Sequence, residues 1–65
     1  MAKMIAEQKI AFIFQLVSSA KEVLEALEKA QNEKDHEKFE LLKQELLNLI
    51  KEIKSSLQEL KKIYG

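Results

Sequence analysis

Gln31-Asn32-Glu33-Lys34-Asp35 is the one stretch of this 65-residue chain in which apolar side chains stop recurring at helical spacing. On both sides of it they return every three or four residues for about 30 residues, the period of an amphipathic helix. The stretch also carries helix-ending chemistry. Asn32 is suited to the left-handed conformation that closes a helix, and Asp35 can cap the amides of a second helix, with Glu37 favourably placed in its first turn. The only glycine is Gly65 and there is no proline, so no other interior position invites a break. The sequence therefore predicts an all-α, two-helix antiparallel hairpin in a single domain spanning residues 1–65. Its helices cover about residues 2–31 and 36–64, with a turn at about 32–35.

Each helix carries three apolar columns. In the first, Ala6, Ile13, Ala20 and Leu27 recur every seven residues, flanked by Leu16, Val23 and Ala30 on one side and Ile10, Val17 and Leu24 on the other. In the second, Phe39, Leu46, Ile53 and Leu60 form the centre, flanked by Leu42, Leu49 and Ile63 and by Ile50, Leu57 and Tyr64. Two columns suffice for a two-stranded seam, whereas three make a stripe wide enough for two neighbours. Antiparallel pairing of positions whose numbers sum to roughly 66 matches apolar with apolar throughout, Leu24 with Leu42 and Leu16 with Ile50 among them. One hairpin cannot cover both stripes, and a 65-residue chain without cysteine has few other means of stabilising a small core. The expected solution is a homodimer of hairpins closing into a four-helix bundle. Ile10, Ile13, Val17, Leu46, Ile50, Ile53 and Leu57 are the candidate oligomer interface.

Four large apolar residues fall outside this pattern. Phe14 shares a column with Glu7, Lys21 and Glu28 and should meet solvent; Phe12, Leu41 and Leu47 are comparable. These four are candidate partner contacts, since aromatic anchors are enriched at interfaces.

Chemistry-bearing patterns are sparse. The absence of cysteine removes thiolate metal sites and thiol nucleophiles. His36, three residues after Glu33, has the spacing of a carboxylate-bridged metal site, but it follows a polar turn and the core columns contain no acidic residue. Ser18, Ser19, Ser55 and Ser56 have no histidine in reach and no glycine elbow. Neither a catalytic residue nor a cofactor or metal site is expected, and the chain is read as a non-enzyme.

Eleven lysines, no arginine and eleven acidic residues give a net charge of zero, so no overall field attracts nucleic acid. Lys51, Lys54, Lys61 and Lys62 near the end of the second helix oppose its dipole. In a dimer they could serve an RNA- or DNA-binding regulator, although Glu45, Glu52 and Glu59 form an acidic column nearby. Lys3 and Lys9 precede an apolar run too short for a membrane span. Glu7 and Gln15 fit a secretion signal poorly, and a cytoplasmic location is expected.

In outline the hairpin is similar to small plasmid copy-number regulators that dimerise into four-helix bundles and bind paired RNA loops. That likeness is architectural and carries no binding residue across. Small secretion chaperones, which hold a partner helix, and antirepressors share the outline. The run Lys21–Ala30 is also what a designer would assemble from strong helix formers. From the sequence, the expected function is a self-associating structural or protein-interaction module. The alternatives are a nucleic-acid regulator and a chaperone or inhibitor.

Overall fold

The structure is a computed structural model that describes the backbone of residues 2–64 and the side chains of residues 6–64. Two helices, α1 (Ala2–Asn32) and α2 (His36–Tyr64), run antiparallel and pack along their length. The rod measures 49 × 14 × 12 Å. Its length is that of one helix of about 30 residues at 1.5 Å per residue.

Three residues reverse the chain. The Asp35 amide donates to the Ala30 carbonyl at 2.9 Å and the Lys34 amide to Gln31 at 3.1 Å, the paired bonds of a Schellman cap. Lys34 takes the left-handed conformation this cap requires, with φ at 58°. Asn32, the residue predicted for that role, is still helical. Asp35 supplies the reason. It caps α2, its Oδ1 accepting the Lys38 amide at 3.2 Å and its carbonyl accepting the Phe39 amide at 3.0 Å. Asp35 thus closes α1 through its own amide and opens α2 through its oxygens. The reversal must fall on the residue immediately before it, whatever that residue prefers.

The seam between the helices uses two columns from each. On α1 they are Ala6, Ile13, Ala20 and Leu27, with Lys9, Leu16, Val23 and Ala30; every one is buried or half-buried. On α2 they are Phe39, Leu46, Ile53 and Leu60, with Leu42, Leu49 and Ser56, all half-buried. The buried core among the described residues is Ala6, Leu16, Val23, Leu27 and Ala30, all on α1, while α2 contributes none. Side-chain size alone does not set the asymmetry: Ala6 and Ala30 are small enough to vanish, but Leu16, Val23 and Leu27 are as large as the half-buried α2 leucines, which a two-helix seam walls on one side only.

Candidate interaction face

The third column of each helix stays outside the seam. Val17, Leu24, Ile50 and Leu57 are 48%, 56%, 48% and 50% exposed, and Tyr64 is more exposed still. Ile10 alone in this set is half-buried. The predicted pairs Leu24–Leu42 and Leu16–Ile50 therefore do not close the seam, because Leu24 and Ile50 lie largely in solvent. The correction in register is small. Lys9 and Glu59 form an ion pair across the hairpin, so facing positions sum to about 68 rather than the predicted 66.

Helical geometry places these exposed columns together. On each helix the third column lies about 40° from the centre column, on the side away from the other seam column. Running one helix backwards against the other brings the two third columns to the same side of the hairpin. Ile10, Val17 and Leu24 then line one edge of a shared face, with Ile50, Leu57 and Tyr64 along the other. Phe14, 68% exposed, lies roughly 60° farther round α1 on the same side, and Leu47 occupies the equivalent position on α2. Phe12 and Leu41, also exposed, fall elsewhere on the surface.

The expected oligomer contacts thus divide. Ile13, Leu46 and Ile53 lie in the seam of a single hairpin, while Ile10, Val17, Ile50 and Leu57 belong to the exposed face. The expected partner contacts divide as well, with Phe14 and Leu47 joining the face and Phe12 and Leu41 standing apart.

The face is apolar only over the part distant from the turn. Continuing its columns towards the turn gives Gln31 on α1 and Lys43 on α2, both exposed. Its flanks carry opposite charge balances. Beside α1 stand Glu7, Lys21 and Glu28, two carboxylates against one ammonium; along α2, in the column of Leu47, stand Glu40, Lys54 and Lys61, one carboxylate against two ammoniums.

Other features offer less. His36 is exposed and lines, with Ala30, Gln31, Asp35 and Phe39, a half-open hollow of about 170 Å³ at the turn. That is below the usual size of a ligand pocket. Among the described residues no group of three or more His, Cys, Asp or Glu side chains could hold a metal ion. No helix there is long and apolar enough to cross a membrane.

Two charged contributors escape the column pattern. Lys9 occupies a seam position, seven residues before Leu16, with its side chain 34% exposed and its ammonium on Glu59. Counting back by sevens from Leu16 would have found it. A lysine at one seam position fixes register at some cost in stability. Lys34 is the other, and only the capping bonds identify it. Comparison with protein-family models, with curated proteins and with solved structures found no match for this chain.

Proposed function

We propose that the chain is a non-enzymatic interaction module that self-associates through the face bearing Ile10, Phe14, Val17, Leu24, Leu47, Ile50, Leu57 and Tyr64. Two hairpins pack these faces together as a homodimeric four-helix bundle. The observation that supports this reading is the concentration of exposed large apolar side chains on one side of a hairpin with only five buried residues among those described.

The area is of the right size. With roughly 150–250 Å² for an aromatic side chain laid bare and somewhat less for an aliphatic one, the face exposes on the order of 700 Å². A stable interface takes about 800 Å² from each partner. A monomer rarely leaves so large a contiguous apolar patch in water.

A second copy is the occupant these features favour. A hairpin whose own core is this thin needs cover in order to persist, and copies of itself are available wherever the chain is made. With a net charge of zero, copies approach without mutual repulsion. Phe12 and Leu41, off the face, remain available for a protein partner outside the dimer.

Sedimentation equilibrium tests the reading. A particle of twice the 7.5 kDa chain mass is expected at tens of micromolar. A well-folded 7.5 kDa species at that concentration would overturn it.

A further inference from the structure

We infer that association and closure of the hairpin are coupled in one half of the rod: the half remote from the turn closes as the dimer forms and opens when it dissociates, while the turn half stays zipped. The inference rests on the self-association proposed above and concerns what dissociation does to each chain.

Taking the Lys9–Glu59 ion pair as the level mark, Leu16 stands level with Glu52 at the middle of the rod. The open half runs from there to the free helix ends, and its seam is the poorer one. The columns of Ile13 and of Ile53 are apolar throughout, but the second seam columns change character along the rod. From the middle towards the turn they hold Leu16, Val23 and Ala30 with Leu42 and Leu49. In the open half they hold Lys9 with Ser56, and Ile63 beyond them is exposed. Burial follows the same gradient. The large buried side chains Leu16, Val23 and Leu27 stand at the middle or nearer the turn, and among the described residues the open half buries only Ala6. The turn half is also fastened by Asp35, which bonds to both helices. Opening costs least where least apolar surface is buried, so the free ends separate first.

The exposed face makes good this deficit at the same end. Ile10, Phe14, Leu57 and Tyr64 lie in the open half, Val17 and Ile50 at the middle, and only Leu24 and Leu47 beyond it. Ile10 and Phe14 stand on α1, whereas Leu57 and Tyr64 stand on α2. The two arms form one face only when they lie side by side, so a second copy binds the closed form in preference to the open one and shifts the population towards it. Left without a partner, each arm of roughly a dozen residues is too short to hold its helix alone. Closure of the open half therefore responds to chain concentration.

Amide hydrogen exchange about tenfold below and above the dissociation constant tests the coupling. Below it, amides of residues 8–14 and 55–62 should be at least about 10-fold less protected than those of residues 22–30 and 41–49; above it, they should become protected. Equal protection of both halves in the dissociated chain, or an open half no better protected in the dimer, overturns the coupling and leaves self-association intact. A single-chain mass at every concentration overturns both. A second readout uses Lys9→Leu with Ser56→Leu, two seam positions off the dimer face. The double variant should stay closed when dissociated and lower the dissociation constant about 10-fold or more, because neither copy then has to close in order to bind. An unchanged or higher dissociation constant overturns the coupling.

Discussion

The two sides of the seam come from the same pair of helices and differ in nearly everything else. One carries Ile10, Val17 and Leu24 against Ile50, Leu57 and Tyr64. The other sets Phe12, Ser19 and Ala26 beside Glu45, Glu52 and Glu59, and apart from Phe12, the half-buried Ala26 and Ile63 at its end it offers solvent mainly polar side chains. Both lie next to the seam, so proximity to the core does not explain the difference. What separates them is fitness for a neighbour: a column of carboxylates resists burial, since an ion taken from water needs a partner or loses its charge. The acidic side thus directs association to the opposite side.

That contrast can be broken most forcefully by exchanging its chemistry. Val17→Glu combined with Ile50→Glu places four carboxylates in the proposed dimer interface. The dissociation constant should rise about 1,000-fold or more, leaving a single-chain mass in sedimentation. Ser19→Glu, on the acidic side, should leave the mass unchanged. If both variants dissociate, or neither does, the two sides are equivalent and the contrast fails.

A finer comparison uses adjacent residues. Leu16 is 7% exposed in the seam and Val17 faces out beside it. Leu16→Ala should lower the unfolding free energy by roughly 2–5 kcal/mol in a urea titration. Val17→Ala should cost clearly less, with its effect concentrated in dimer affinity. Equal losses would mean that seam and face are one continuous core.

Smaller changes belong to the turn, which holds both sides in place. Asp35→Ala removes the oxygen that accepts the Lys38 amide and should cost about 1 kcal/mol. Lys34→Gly should raise the thermal midpoint, because glycine enters the left-handed region without the side-chain clash, a relief of roughly 1–2 kcal/mol offset in part by the unfolded chain's added freedom. A lower midpoint would show that the lysine side chain stabilises the turn by contacts of its own.

The turn also marks where sequence reading stops. Residues 31–35 announced a break, and the seven-residue recurrences identified every apolar column, because these are local properties of a helical chain. Which two of three columns close the hairpin is decided by the whole pair of helices at once. Leu24 and Ile50 are as apolar as Leu27 and Leu49, and nothing in the residues themselves assigns the first two to solvent. The left-handed residue was legible only as a preference for Asn32. Placing it at Lys34 depends on Asp35 serving both helices. Phe14 was readable as an outlier, but seeing that Leu47 lies on the same side required the antiparallel pairing.

The smallest expected effect lies on the acidic side. The hydrogen bond from the Lys9 ammonium, and next its charge, hold the Glu59 carboxyl below the usual carboxylate range, with slight opposition from desolvation and a further lowering by Lys62. A carboxylate whose pKa is depressed on folding adds stability above its unfolded pKa, and that increment fades as pH falls through the folded value. Glu59 is solvent-exposed, so water screens most of the interaction. In Glu59→Gln the increment is absent at every pH. Stability curves of parent and variant should therefore separate slightly near neutrality and converge under acid, provided salt is kept low. Curves that stay parallel into acid would mean that the ion pair sets register through Lys9 without adding stability, leaving the acidic side a solvated edge whose only effect is to keep neighbours away.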